Sequence, residues 1–388
     1  MQFTLGIFLI WRIGLFFIAA IGEKILSFSP SFPYSDIYLI PSGHPHWLWS
    51  FANFDGVHYL TIAEKGYSAQ FTQVFFPLYP LLIGIFNNIL PFINPIITGL
   101  FISNMLFLFS LMIFRKLMRL DYKEKEIKWM IAFLLFFPTS FFFGSLYTES
   151  LFFFLVISSF YMARKKRWIL AGILGAFASA TKLVGILLLP ALLWEWWQAN
   201  RSKYHVLGIK YKKILHTIFY ILHSPIIYLI PLGLITYTIY LQQAFGDWLY
   251  FWHAQPVFGA ERSGTGIIIL PQVIWRYLKM LVTNPYTQYS FWVALWELGS
   301  LVVSCSLLVI GLLKKVRMSY LIFGFLTVIV PTLTGTLSSM PRYILVAFPI
   351  FISLGLIRNR LERNLLFVIC CLLSVIFTIL FTSGRWVS

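Results

Sequence analysis

The sequence predicts an all-α polytopic membrane protein, and three observations lead to this fold class. Only 11% of the 388 residues are charged, 59% are hydrophobic and the mean hydropathy is +0.82, whereas a soluble globular protein averages about 25% charged residues. Apolar runs long enough to cross a bilayer as helices recur along the chain. The sequence does not show the short alternating strands of an outer-membrane barrel.

About eleven transmembrane helices are predicted, each from an apolar run of roughly 20 residues. In chain order they cover residues 3–21, 95–114, 129–146, 149–163, 168–181, 183–197, 214–242, 291–313, 318–337, 342–357 and 364–382. The first has no small-residue cleavage site and is interpreted as an uncleaved helix. The fifth and sixth share one apolar run that, at about 1.5 Å per residue, is too long for a single crossing, so a tight turn near Thr181–Lys182 is expected.

Lys and Arg residues are concentrated in alternate loops. Of the 30 basic residues, 21 lie in loops 115–128, 164–167, 198–213, 314–317 and 358–363. The positive-inside rule therefore places these loops and the N-terminus in the cytoplasm. The net charge of +17 is then explained by contact with anionic lipid, and no nucleic-acid partner is expected.

The same charge pattern places the run "FFPLYPLLIGIFNNILPFI" outside the membrane core, because a span here would turn the following basic clusters outward. We interpret it as a juxtamembrane or re-entrant helix at the outer surface. The first outer loop is then long, residues 22–94, and a second outer loop, 243–290, carries another interfacial helix, "LPQVIWRYLKMLV". With no linker and no repeat, residues 1–388 are predicted to form a single membrane-embedded domain.

Two carboxylates on the predicted outer side have apolar neighbours and are candidates for chemistry. Asp55 lies in "WLWSFANFDGVHYL", where aromatic flanks would desolvate the carboxylate and raise its basicity. Glu149 lies in "FFFGSLYTESLFFFL" between two spans, where an acid requires a partner or a wet cavity. The alternative role of each is to cap the helix that follows. The cytoplasmic acids and Glu195 are expected to form solvated ion pairs.

Lys182 and Arg342 are cations on the face that the positive-inside rule depletes. Facing two carboxylates, they are interpreted as a site for an anionic group such as phosphate. The alternatives are snorkelling for Lys182 and an aromatic or helix-end contact for Arg342. His58 is a second candidate base, with a structural role as its alternative. Arg12, in the middle of the first helix, requires a partner or a watery cavity.

Asp55 with "HYLTIAEKGY" and "FFPLYPLL" resembles the family of membrane mannosyltransferases that includes the enzyme adding the second mannose of glycosylphosphatidylinositol anchors. That family carries an aromatic–Asp–x–x–His–aromatic motif, then "IA..GY" and "FFP..P". It also carries a Tyr–Ser/Thr–Glu–Ser/Ala sequence, which "LYTES" matches through Tyr147 and Glu149. Phe54 differs from the Trp that this family usually has before the Asp. The specific part of the resemblance covers residues 53–82 and 144–151.

The resemblance implies a GT-C-type glycosyltransferase with a polyprenyl-phosphate mannose donor and a lipid or glycolipid acceptor. In that role Asp55 is the general base, and Arg342 and Lys182 bind the donor phosphate. Glu149 orients the acceptor, a water or a metal ion; a requirement for a divalent cation is left open, and no other cofactor is expected. Three residues are assigned supporting roles: His58, Tyr147 and Arg12. Direct attack inverts the anomeric centre, at the outer face of the plasma membrane or the lumenal face in a eukaryote.

Two other functions are left open. A GT-C enzyme can transfer another sugar to lipid or protein. A lipid or solute transporter is expected to show broken helices with polar residues near the bilayer midplane, often in repeated halves. Arg12 favours the transporter, whereas the lack of repeated halves and the position of the other charges at helix ends favour the enzyme.

Overall fold

A computed structural model describes residues 2–200, 224–259, 262–264 and 266–387 of the chain. The described residues form α-helices and 3₁₀-helices and contain no strand. Most of the predicted inner loop 198–213 and the beginning of the predicted span 214–242 lie outside the described residues.

The α-helices of the described residues are numbered here in chain order. Before residue 201 they are α1 (Gln2–Ile25), α2 (Ser35–Tyr38), α3 (His46–Trp49), α4 (Asp55–Lys65), α5 (Leu78–Ile89), α6 (Pro95–Met118), α7 (Glu124–Leu135), α8 (Glu149–Arg164), α9 (Trp168–Ser179) and α10 (Leu188–Asn200). After residue 223 they are α11 (Pro225–Leu229), α12 (Leu232–Phe245), α13 (Tyr250–His253), α14 (Leu270–Thr283), α15 (Tyr289–Leu313), α16 (Met318–Ile329), α17 (Met340–Val346), α18 (Pro349–Gly355) and α19 (Arg360–Thr382).

Among the described residues, five helical segments are long and apolar enough to cross a membrane. They are Gln2–Ile25, Pro95–Met118, Pro225–Phe245, Tyr289–Leu313 and Arg360–Thr382, and each overlaps a predicted span. Their outward-facing sides are exposed and apolar; for example, Ile10 and Ile13 of α1 are 67% and 65% exposed. Such surfaces suit contact with lipid, as fits an integral membrane protein. The predicted number of about eleven spans exceeds these five.

Two of the other predicted spans are interrupted at prolines. The predicted span 129–146 consists of α7 and, after Pro138, a 3₁₀-helix at Ser140–Gly144. The predicted span 342–357 divides into α17 and α18 before Pro349. Proline lacks a backbone N–H and its ring clashes with the preceding turn, so a helix ends near it. These segments are almost entirely buried, and broken backbone is tolerated at membrane depth where protein covers it.

Four further predicted spans are helices shorter than a straight crossing requires, which is roughly 20 residues. They are α8, α9, α10 and α16, with 16, 12, 13 and 12 residues. The predicted turn near Thr181–Lys182 is confirmed, because α9 ends at Ser179 and a 3₁₀-helix follows at Leu183–Leu187. A Cβ at Gly185 would lie 2.3 Å from the Ala178 carbonyl oxygen. Only glycine therefore allows the two sides of this turn to approach so closely.

The two outer-surface segments predicted from charge both form short helices. Helix α5 has 12 residues and α14 has 14, or about 18 and 21 Å at 1.5 Å per residue. Each has one buried side and one exposed apolar side: Leu81 and Ile85 of α5 are 56% and 53% exposed, and Trp275 and Val282 of α14 are 67% and 86% exposed. Both helices have the form expected at a membrane surface.

Loops predicted to share the cytoplasmic side meet one another. Arg164 donates a hydrogen bond to Asp121 (Nη2–Oδ1 2.9 Å), and Arg317 donates to Glu195 (Nε–Oε2 2.8 Å). These contacts support the predicted alternation of loops. Glu195 is only 3% exposed and also accepts from Ser319 Oγ (2.7 Å). The expectation of a solvated pair is therefore wrong for Glu195, because α10 packs against α16 and covers the carboxylate.

The predicted orientation in the membrane can be tested with single cysteines. In a variant lacking the native thiols Cys305, Cys370 and Cys371, we expect a cysteine at Ser68 to react with an impermeant reagent in intact cells. A cysteine at Lys166 should react only after permeabilisation. Both positions are exposed in the structure, so accessibility within the fold does not decide the result. Labelling of position 166 in intact cells would contradict the orientation.

Candidate active site

Asp55 is the first residue of α4, and the turn that presents it is fixed by Tyr147. The Tyr147 hydroxyl donates to the Asn53 carbonyl oxygen (2.9 Å) and accepts from the Asp55 N–H (3.3 Å). Asn53 Nδ2 donates to the Phe381 carbonyl at the end of α19 (2.8 Å). The N-cap position belongs to Phe54, so the alternative that Asp55 caps the helix is wrong.

Glu149 is the first residue of α8 and is completely buried. Its Oε1 accepts a hydrogen bond from Lys182 Nζ and lies 3.4 Å from Arg342 Nε. The N-cap position of α8 belongs to Thr148 and no side chain forms a cap hydrogen bond there, so the capping alternative, in which Thr148 and Ser150 share the role with Glu149, is wrong as well. The partner that a buried acid requires is supplied by two cations.

Arg342, in the first turn of α17, connects the two carboxylates. Its Nη1 donates to Asp55 Oδ2, while its Nε faces Glu149. The guanidinium carbon also lies 5.5 Å from the centre of the Tyr147 ring, so the alternative aromatic contact exists beside the ion pairs. Lys182 completes the group, and its side chain is only 14% exposed. The snorkelling alternative for Lys182 is therefore wrong.

We call Asp55, Arg342, Glu149 and Lys182 the four-charge cluster. The sequence predicts all four on one outer surface, and the structure brings them into contact. The direct pairing of each cation with a carboxylate was not predicted. Two positive and two negative side chains balance one another, which is how buried charges are usually accommodated.

The ion pair with Arg342 changes the acidity of Asp55. Burial raises the pKa of Asp55, but the charge and hydrogen bond of Arg342, together with the smaller effects of His58 and Arg262, outweigh burial and hold the pKa below its usual range. The prediction of raised basicity is therefore wrong for the protein without substrate. Burial lowers the pKa of His58, although the charge of Asp55 opposes this effect. At neutral pH Asp55 is ionised and His58 is neutral.

His58 and Arg12 occupy different surroundings. His58 stacks on Phe75 (ring centres 4.9 Å apart), and its Nδ1 has no hydrogen-bond partner among the described residues. Arg12 lies between the rings of Phe16 and Phe51, at 3.9 and 4.6 Å. Neither terminal nitrogen of Arg12 has a hydrogen-bond partner in the described part of the chain. Arg12 thus lies among aromatic side chains, away from the four-charge cluster.

Asp55 lies in the wall shared by two cavities. The larger has a volume of about 1290 Å³ and is lined by His58, Tyr277 and Glu297 among others. The smaller, of about 350 Å³, is lined by both cations of the four-charge cluster and by Arg262. Among the described residues, four line both cavities: Asp55, Phe258, Ser338 and Trp386. A group bound in either cavity would therefore have access to the Asp55 carboxylate.

Sequence reasoning missed Arg262, Glu297 and Tyr277 as site residues. Arg262 Nη2 donates to Ser338 Oγ (3.2 Å), and its charge acts on Asp55. The sequence signal that could have found them was their position: Arg262 and Tyr277 lie in the predicted second outer loop, and Glu297 is an acid inside a predicted span.

Among the described residues, no three His, Cys, Asp or Glu side chains are grouped so that they could hold a metal ion.

Comparison with known proteins identifies the family. A family model described as "Mannosyltransferase (PIG-V)" matches residues 14–366. No curated protein and no solved structure matches the chain. The matched region includes every residue of the four-charge cluster and most of both cavity walls. An all-helical membrane protein with this match is a glycosyltransferase, and the chain belongs to the PIG-V mannosyltransferase family.

Proposed function

We propose that this protein transfers a mannosyl residue from a polyprenyl-phosphate-linked donor to a hydroxyl group of a lipid or glycolipid acceptor. The reaction takes place at the outer membrane face and inverts the anomeric centre. The observation that carries the proposal is the position of Asp55, an ionised carboxylate in the wall shared by two cavities. The smaller cavity takes the donor phosphate and mannose, and the larger takes the acceptor.

The chemical step needs one base and one site for the leaving phosphate. The acceptor oxygen attacks the anomeric carbon and forms the new glycosidic bond, while the bond from that carbon to the phosphate oxygen breaks. The hydroxyl proton passes to Asp55. The bonding electrons leave with the phosphate oxygen, and the second product is polyprenyl phosphate. Because the attack is direct, the anomeric configuration inverts.

The cations of the smaller cavity fit the leaving phosphate. Arg342 and Lys182 already lie against carboxylates, and Arg262 adds a third positive charge. Donor phosphate on Arg342 would compete with Asp55 for the guanidinium, and loss of that partner raises the basicity of a buried carboxylate. The base would thus become stronger once the donor is bound.

We assign Glu149 a different role from the one expected from sequence. It lines neither cavity and is completely buried, so we do not assign it to the acceptor. We assign it to hold Arg342 and Lys182 in place for the phosphate. Charged donors fixed in advance stabilise a developing anion better than donors that must reorient.

An apolar groove beside the smaller cavity supports a lipid-linked donor. The groove has a volume of about 560 Å³ and is lined by Leu78 and Leu81 of α5, Phe177 of α9 and Leu232 of α12. Ala180 also lines it, and the next two residues of the chain line the smaller cavity. An isoprenoid chain in this groove would leave its phosphate near Lys182.

The two alternative functions fit less well. The match to a family of glycosyltransferases disfavours a transporter. Arg12, the residue that best supported a transporter, lies among aromatic rings and lines neither cavity. Transfer of another sugar, or transfer to protein, uses the same chemistry, so the experiment must identify both donor and product.

The proposal can be tested with purified protein in lipid vesicles. We expect radiolabelled mannose to move from polyprenyl phosphate to a component of an added lipid extract, with inverted anomeric configuration in the product. The comparison uses labelled GDP-mannose without a polyprenyl carrier, and no transfer is expected from it. Transfer from the nucleotide sugar would contradict the proposed donor, and label in protein would contradict the proposed acceptor.

A further inference from the structure

Glu297 is a buried carboxylate that the proposed chemical step does not use. It lies in α15, is 3% exposed, and lines the larger cavity. Tyr277 Oη donates a hydrogen bond to its Oε2 (2.5 Å). The Trp386 indole and the Ser339 N–H face the carboxylate, yet Oε1 has no hydrogen-bond partner among the described residues. Glu297 also forms no ion pair within the described part of the chain.

The surroundings hold this carboxylate in one orientation. The Tyr277 hydroxyl accepts from the Leu337 N–H (3.0 Å) and lies 3.1 Å from Thr336 Oγ1. Tyr277 therefore cannot turn away from Glu297 without losing these bonds. A buried acid within a predicted membrane span is costly and usually serves a function. One oxygen is thus fixed, and the other, Oε1, has no hydrogen-bond partner among the described residues.

The chemistry of the cavity indicates the ligand. An ionised carboxyl group only accepts hydrogen bonds and a neutral one can also donate one, and a hydroxyl group can pair with either form. Phe32, Phe54 and Trp386 supply aromatic surface in the same wall, and such surface suits the apolar faces of a sugar ring. The volume of about 1290 Å³ exceeds the roughly 300–1,000 Å³ of a typical small-molecule site. The cavity can therefore hold a headgroup of more than one ring.

We propose that Glu297, oriented by Tyr277, binds sugar hydroxyls of the acceptor and so determines which acceptors are used. This inference rests on the proposed function only in treating the larger cavity as the acceptor site. Glu297 contacts hydroxyls that do not react, and Asp55, in the same cavity wall, takes the proton of the hydroxyl that does.

The first test separates acceptor binding from the other steps. Glu297→Gln keeps the size of the side chain but loses its charge, so we expect KM for acceptor lipid to rise about tenfold or more, the loss typical of one hydrogen bond to a charged group. The value of kcat and the affinity for polyprenyl phosphate should change much less. Glu64→Gln, which alters an exposed acid on the same predicted side, should match the wild type. An unchanged KM in Glu297→Gln would assign the residue to a structural link between α14 and α15.

The second test does not depend on catalysis. Binding of methyl α-mannopyranoside to the full-length protein can be followed by saturation-transfer NMR. We expect binding in the wild type and in Glu64→Gln, and weaker binding in Glu297→Gln and Tyr277→Phe. Glu297-dependent binding without mannose transfer would support this subsite while contradicting the proposed function. Mannose transfer, together with glycoside binding that Glu297→Gln does not weaken, would support the proposed function and contradict this subsite. Tighter binding of an amino sugar than of the mannoside would show that Glu297 reads an ammonium group and overturn the hydroxyl assignment.

Discussion

Asp55→Asn is expected to lower mannosyl transfer by at least about 100-fold, because general base catalysis typically contributes 10² to 10⁴ in rate. The amide keeps the shape of the side chain and one oxygen for Arg342, but it cannot take a proton from the acceptor. The measurement is kcat with saturating donor and acceptor in vesicles. Thermal unfolding of the purified variant checks that the turn held by Tyr147 remains intact.

The matched control for this variant is Asp36→Asn, which alters an exposed acid in the same outer loop and should leave kcat unchanged. Turnover near the wild-type value in a folded Asp55→Asn protein would rule out Asp55 as the base. The pH profile gives a second check. Arg342 lowers the pKa of Asp55. The acid limb of the pH–rate profile, where Asp55 becomes protonated, should therefore lie below the ordinary Asp pKa of about 3.9. In kcat/KM for the donor, which reports the free enzyme, loss through Asp55 is expected only as the pH falls through that limb.

Replacement of Arg342 is expected to have the second largest effect. Arg342→Ala removes the group that connects Asp55 and Glu149 and should cost about 2–5 kcal/mol in donor binding, the range for breaking a buried charge pair. Arg342→Lys keeps the positive charge but loses the planar fork that grips two phosphate oxygens. If only charge mattered, Arg342→Lys would bind the donor as well as the wild type. We expect it to bind the donor more weakly than the wild type but more tightly than Arg342→Ala.

The discriminating measurement compares two ligands, the polyprenyl-phosphate donor and a neutral polyprenol-linked analogue. Arg342→Ala should weaken binding of the phosphate-bearing ligand selectively. If both affinities fall equally, Arg342 does not recognise phosphate. The control is Arg385→Ala, a cation on the same predicted face that lines neither cavity. The pH profile should move as well, because the lowering effect of Arg342 is lost and burial, the largest cause, then raises the pKa of Asp55 against only the smaller opposing charges of His58 and Arg262.

Much of the candidate site could be predicted from the sequence, because its members stand out locally. Asp55 and Glu149 are acids in apolar surroundings, and Lys182 and Arg342 are cations on the predicted outer face, where cations are rare. Their alternative roles as caps or snorkelling residues could be rejected only from the contacts and burial in the tertiary structure. Glu297 could not be identified from the sequence, because it is a candidate only on account of the cavity that it lines, and no local sequence pattern reveals that cavity.

The fold was predicted well where one segment decides the outcome by itself. The predicted spans that match α1, α6, α15 and α19 depend on the summed transfer free energy of their own apolar side chains, which is a local quantity. The predicted spans around Pro138 and Pro349 have similar hydropathy, yet they are broken. Their burial among other helices is a property of the whole fold, and burial is what makes a broken helix tolerable in a membrane.

The sequence by itself determined that this protein is helical and membrane-embedded, that its unusual charges lie toward one face, and which motif resembles a mannosyltransferase. Only the tertiary structure decided how those charges meet. Asp55 and Arg342 are 287 positions apart, and their pairing depends on how α4 and α17 are oriented by the helices between them. The acidity of Asp55 follows from that pairing, because the field of a charge depends on distance in space and not along the chain. Local desolvation predicted a stronger base, and the partner across the fold reversed the direction of the shift.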